Sequence, residues 1–121
     1  MESNSTNRHR ELENRTTAFA KRTIVACQRL PRDRINDPMV SQAIRAAGSV
    51  GANYREANEA IGKKDFIYRL RIARKEAKEA YYWFELLVEA NPSHKEELIL
   101  LLKEAEELRN ILSAIISKVS Y

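Results

Sequence analysis

Residues 42–56 read QAIRAAGSVGANYRE, and the fold turns on how this stretch is read. Seven of the fifteen residues are Ala, Gly or Ser, yet the spacing is helical. Ala43, Ala47, Val50 and Tyr54 form one small apolar stripe. Gln42, Arg45, Ser49, Asn53 and Glu56, stepping by three or four, form a polar one. The stretch is therefore a helix with two unlike faces, thin enough for neighbours to approach its backbone. Gly48 and Gly51 lie inside it, each at a cost of about 1 kcal/mol against Ala. Close helix–helix contact is the reading; a kink is the alternative.

Upstream, Asn36 or Asp37 can cap this helix and Pro38 suits its first turn, so it spans about residues 38–60. A polar loop precedes it. Before the loop, Leu12, Phe19, Thr23, Ala26 and Leu30 recur at helical spacing, with Cys27 beside them. That predicts a helix over about residues 10–30, closed by Pro31. Residues 1–9 have nothing to bury and are expected to form a disordered tail.

Downstream, Gly62 breaks the pattern and a long helix follows over about residues 63–91. Phe66, Leu70, Ala73, Ala77, Ala80, Phe84 and Leu87 give it a sustained heptad seam. Its other side changes along its length. Lys64, Arg71, Lys75 and Lys78 make a basic outer stripe in the first half. In the second, nine of the eleven residues 80–90 are apolar. A helix end apolar nearly all round needs more than one seam. The expectation is a second subunit or partner over Tyr81, Tyr82, Trp83 and Leu86; wrapping by this chain's other helices is the alternative. Asn91-Pro92 ends the helix. Ser93 and Glu96 read as a capping box opening a last helix over about residues 93–119. Its seam is Leu98, Leu101, Ala105, Leu108, Leu112, Ile115 and Val119. Glu96, Glu97, Glu104, Glu106 and Glu107 read as its solvated side. Four helices with short connections imply an all-α, antiparallel up-down-up-down four-helix bundle in one domain.

Bulk properties agree. The chain has 121 residues, 31% charged and 44% hydrophobic, with six Gly and Pro in total. The longest apolar runs, Ala80–Phe84 and Leu98–Leu102, are far short of the ~20 residues that cross a bilayer. The N-terminal stretch has no apolar core of a signal peptide. The single cysteine, Cys27, excludes an internal disulfide. The reading is cytoplasmic, with no membrane role. Net charge is +4. Residues 8–34 carry eight Arg/Lys against three Asp/Glu, residues 63–78 seven against two, and residues 91–121 four against five. Such a balance fits a polyanion partner, or simply the Arg/Lys richness of helical surfaces.

Enzymatic constellations are absent. A di-metal bundle needs inward carboxylates with Glu-x-x-His motifs. His9 and His94 are instead preceded at three residues by Thr6 and Asn91. There is no Ser/His or Cys/His set for nucleophilic catalysis and no Gly-rich phosphate loop. No metal, cofactor or catalytic residue is assigned. Arg45, Ser49, Asn53 and Glu56 face one side of their helix, and Glu76 and Glu79 flank the seam of the next. They read as a polar network fixing register. Arg15, Arg22 and Arg29 recur every seven residues. With Lys64, Arg71, Lys75 and Lys78 they are the candidate nucleic-acid surface, contacting phosphates without base readout. Tyr68 and Tyr82 could stack on bases, although packing is the better account of them.

The order of these features resembles the 23S rRNA intervening-sequence proteins, also called S23 ribosomal proteins. The matching residues are Leu30-Pro31; Gln42, Arg45, Ala46 and Ser49; Asn53, Glu56 and Ala57; Lys64-Asp65-Phe66; Leu70; Lys75-Glu76-Ala77; Glu79; and Trp83 with Leu86-Leu87. They cover about residues 16–90. The family usually has Ser where this chain has Gly62, and commonly Ile where it has Val50. The resemblance implies a left-handed bundle, a ring-like homopentamer, and kinship in fold with the accessory protein of diversity-generating retroelements. That relative associates with a reverse transcriptase and nucleic acid. No catalytic residues come with the family. The expected function is a non-enzymatic oligomeric adaptor or scaffold that binds RNA or DNA. The alternative is a protein-only module docking a partner through Tyr81–Trp83.

Overall fold

The computed structural model describes residues 4–120. It contains α1 (Asn4–Gln28), α2 (Asn36–Asn58), α3 (Lys63–Ala90), a short 3-10 turn (Pro92–His94) and α4 (Lys95–Val119), with no strand among the described residues. Each helix is paired by sequence pattern with the one expected, and the differences lie at the ends. Residues 4–9, expected in the tail, belong to α1, while residues 1–3 lie outside the described residues. The last turn of α1 tightens, with Arg29 N–H donating to Ala26 O and Leu30 N–H to Cys27 O. This closes the helix ahead of Pro31.

The start of α2 corrects the capping assignment. Neither Asn36 nor Asp37 caps it. Asp33 does so from the loop, its Oδ1 accepting from the N–H of Ile35 at 3.0 Å and of Asn36 at 2.7 Å. Asn36 is buried instead. The S-x-x-E capping box of α4 does not form either. Ser93 Oγ lies 3.3 Å from His94 Nδ1 and makes no cap bond. Between α2 and α3, Gly62 takes φ +86°, a left-handed conformation that a side chain would strain. The glycine standing where the family usually has serine thus carries a specific backbone geometry.

The helices enclose one core. Phe19 of α1 meets Phe84 of α3 edge-on, with ring centroids 6.0 Å apart. The α2–α3 contact is lined by small residues: Ala43, Ala46 and Ala47 on one side, Ala73, Ala77 and Ala80 on the other, all fully buried. It is the most extensive in the fold, followed by α3–α4 and α1–α2, with α1–α4 the smallest of the four contacts between adjacent helices. The α4 seam shifts at its end, where Ile116 is buried and Ile115 only partly. A straight helix drifts ~20° per heptad against a strict seven-residue repeat, and by the end of α4 the drift has carried the buried stripe from Ile115 towards Ile116. Of the two internal glycines, only Gly51 serves close packing. A Cβ there would lie 3.0 Å from Thr16 Oγ1, whereas one on Gly48 would meet open space.

Candidate functional site

Two of the three candidate cations in and just after α1, Arg15 and Arg29, are ion-paired to α4. Arg15 forks onto Glu104 of α4, with Nε and Nη2 each 2.8 Å from a carboxylate oxygen, and reaches Glu107 at 3.1 Å. Its hydrogen bond to Glu104 raises the guanidinium pKa further above its ordinary value. Arg29 pairs with Glu97 at 2.9 Å. Arg22, between them, is exposed and unpaired among the described residues. So α4's acidic side, read as solvated, is in part the counter-charge for α1. Arg55 of α2 is likewise held by Glu13 and Thr17.

The α3 cations differ. Lys64, Arg71, Lys75 and Lys78 are exposed, and none has an ion pair or hydrogen bond among the described residues. Contact order around the bundle sets α3 diagonally across from α1. The two basic groups expected to merge into one surface therefore face different sides. Tyr68 and Tyr82 lie on the α3 stripe and are 58% and 52% exposed, so packing does not account for them. Tyr81 and Trp83 flank that stripe and pack partly against the core, while Leu86 is half-buried. Of the four residues expected at an interface, Tyr82 is exposed and Tyr81, Trp83 and Leu86 are each partly covered by the chain's own helices.

The polar residues of α2 and α3 form a seam. Arg45 Nη1 donates to Glu76 Oε2 at 2.8 Å, its Nη2 donates to Glu79, and its Nε donates to Gln42 Oε1 at 3.1 Å. Trp83 Nε1–H adds a bond to Glu79 Oε1 at 3.3 Å. Burial alone would push the Glu79 carboxyl up. Hydrogen bonds from Trp83 and Arg45, with the Arg45 charge, outweigh it and leave the pKa below the ordinary value. Asn53 does not bond across to α3: its amide donates to Ser49 O and Oγ within α2. Glu56 is exposed and takes no part.

Two features escaped sequence reading. Asn36 and Asn91, both buried, form a reciprocal amide pair, each Nδ2 donating to the other's Oδ1 at 2.9 Å. Asn36 also donates to Pro31 O, and Asn91 to Leu87 O. The signal was two asparagines at the same end of neighbouring helices, but each already had a local role as cap or breaker. The second feature is a cavity of about 460 Å³ where α1 and α4 part, floored by Tyr54 and Phe66 and walled by Leu12, Ile111 and Ile115. It arises from side-chain volumes that no local pattern reports. Cys27 is buried, which together with the charge of Glu97 pushes its thiol up to about 11. That thiol is inert at neutral pH. No group of three or more His, Cys, Asp or Glu is placed to hold a metal among the described residues. No described helix is long and apolar enough to cross a membrane.

These geometries offer an ion-paired flank, a structural seam and one open basic stripe. Among solved structures, the chain is similar to a protein of unknown function from the S23 ribosomal protein family of Bacteroides thetaiotaomicron. The identity is 32% and the TM-score 0.81, over 90% of this chain and 97% of that one. No curated protein matches. The family model described as 23S rRNA-intervening sequence protein matches residues 9–114. With that match covering most of the chain and a solved family member 32% identical over 90% of it, the chain belongs to the 23S rRNA-intervening sequence protein family.

Proposed function

We propose that this protein is a non-enzymatic adaptor or scaffold that holds nucleic acid by its phosphate backbone along the outer face of α3. One observation carries the reading: Lys64, Arg71, Lys75 and Lys78 share an exposed face and form no ion pair among the described residues, while Arg15 and Arg29 are committed to α4. Cations already paired within the chain gain little from a phosphate, whereas unpaired ones release counterions on binding. Four phosphates neutralised would give log K a salt slope of about −3.

The bundle is proposed as left-handed and up-down-up-down. Its cross-helix contacts support that order: Thr16 lies against Gly51, Asn36 against Asn91, and Arg15 against Glu104. A homopentameric ring and a reverse-transcriptase partner are proposed from family kinship alone. In a ring, the α3 stripe would repeat and a weak contact would gain by avidity. A protein-only role is the second reading, favoured by the exposed Tyr82 ring packed edge-on to Trp83 at 5.4 Å.

The test is a salt titration of labelled RNA and DNA with the wild type and with a variant carrying Arg71→Glu, Lys75→Glu and Lys78→Glu. The reading requires binding at low salt that the variant loses while keeping its helicity and mass. Unchanged binding by the variant would remove α3 from the account.

A further inference from the structure

From the α3 surface we infer that the nucleic acid held there is single-stranded, its bases stacking on Tyr68 and Tyr82 while its phosphates follow the cations between them; this rests on the phosphate-binding reading above. The two tyrosines are fourteen residues apart on one helix face. That is about 21 Å along the axis. Arg71, Lys75 and Lys78 lie between them on the same stripe. A tyrosine ring more than half exposed on a charged helix face contributes little to folding, and here two flank an unpaired cationic run. Neither ring stands alone. The Arg69 guanidinium carbon lies 5.8 Å from the Tyr68 ring centroid, and Tyr82 rests edge-on to Trp83. Each is thus braced by a neighbour while much of its surface remains open.

The space beside Tyr82 agrees. A shallow depression of about 530 Å³ runs between α3 and α4, lined by Lys78, Tyr81, Tyr82 and Arg109. Glu85 and Glu106 also line it. With Lys75 and Glu79 included, three cations and three carboxylates line it, so its charge balances and it favours an uncharged, planar group such as a base over a phosphate. Beyond Tyr82 the stripe turns acidic at Glu85 and Glu89, which ends the phosphate track.

Charge alone predicts the opposite preference. A duplex presents one phosphate per about 1.7 Å of axis, twice the density of either strand, so a purely cationic stripe favours duplex. Duplex bases are stacked on one another and give the tyrosines nothing. Single strands offer free base faces, and stacking on an aromatic side chain contributes roughly tenfold per base. Strand preference therefore separates the two accounts.

The experiment is fluorescence anisotropy with a labelled fifteen-residue oligothymidylate, the matching duplex, and inorganic polyphosphate as a base-free competitor. The wild type should bind the single strand about tenfold or more tighter than the duplex. Tyr68→Ala and Tyr82→Ala should each weaken single-strand binding by roughly five- to tenfold, Tyr68→Phe and Tyr82→Phe should retain it, and competition by polyphosphate should be unchanged by any of them. Both positions are exposed, and circular dichroism and mass confirm that the variants fold. Equal or tighter binding of the duplex, with no effect of the alanine variants, overturns the inference and leaves backbone binding standing. Failure to bind any of the three at low salt removes both.

Discussion

Gly48 and Gly51 are one turn apart in α2 and meet opposite surroundings. At Gly48 an added methyl enters open space, so Gly48→Ala should only relieve the helix of glycine's backbone freedom and stabilise the fold by ~0.5–1 kcal/mol. At Gly51 the same methyl would crowd Thr16, whose hydroxyl is buried and already donates to Glu13 O. Gly51→Ala should cost roughly 1–3 kcal/mol of overpacking. Urea unfolding of the two variants reads both signs together, and destabilisation by both would sink the assignment. Cys27 gives a second residue-scale expectation. With its thiol pushed to about 11, it should react slowly with a thiol reagent at neutral pH in the folded protein and readily in urea. Sequence spacing placed both glycines inside the helix but gave them one explanation. Which of them touches a neighbour depends on where α1 crosses α2, and that crossing is a tertiary fact.

At the scale of elements, the α2–α3 pair is held by alanine contacts along its length, an ionic seam near its middle and the amide pair at one end. The seam has a pH signature. The Glu79 carboxyl sits below its ordinary value of 4.5 in the folded chain, so the unfolded chain takes up its proton first as pH falls. Its contribution is therefore present above about pH 4.5 and is lost as pH drops through the lower folded value. Melting temperatures measured between neutral pH and pH 3 should fall more steeply for the wild type than for Glu79→Gln. Parallel curves would show that the seam contributes nothing to acid stability. The Arg45 contacts were legible in sequence, because an arginine on one helix and glutamates on the flank of the next leave few other arrangements. Asn53 was misplaced because its nearest partner, Ser49, lies one turn back on its own helix. Local bonds of this kind compete with cross-helix ones. The ends of the elements were the least legible, since a loop aspartate three residues ahead of α2 outcompeted both expected caps.

Over the whole molecule, charge is arranged by pairing across the fold more than by runs along the chain. The acidic side of α4 and the basic residues of α1 stood far apart in sequence and were read as separate surfaces, one solvated and one polyanion-binding. Their ion pairs commit two of the three candidate cations of this region, Arg15 and Arg29, and leave the α3 cations unpaired. Each such pair is partly exposed and stabilises by no more than about 1 kcal/mol. Their main effect is on which cations stay available. The four-helix architecture was legible because seam spacing, short connections and turn residues agree. Assembly was not, since exposed apolar side chains are spread over α1 (Ile24, Val25), α3 (Tyr68, Tyr82) and α4 (Leu100) and do not single out one face. Light scattering should give a mass several times the 14.0 kDa of one chain, and a monomer at micromolar concentration would exclude the ring.

The amide pair of Asn36 and Asn91 also bears on how the molecule ages. Asparagine deamidates when the backbone nitrogen of the next residue attacks the side-chain carbonyl. After Asn91 that nitrogen belongs to Pro92 and carries no hydrogen. After Asn36 it belongs to Asp37 and is held in a 2.9 Å bond to Asp33 O. A carboxylate in either place would set acceptor against acceptor in a buried site. The two buried, mutually bonded asparagines thus stand where the backbone resists their chemical loss.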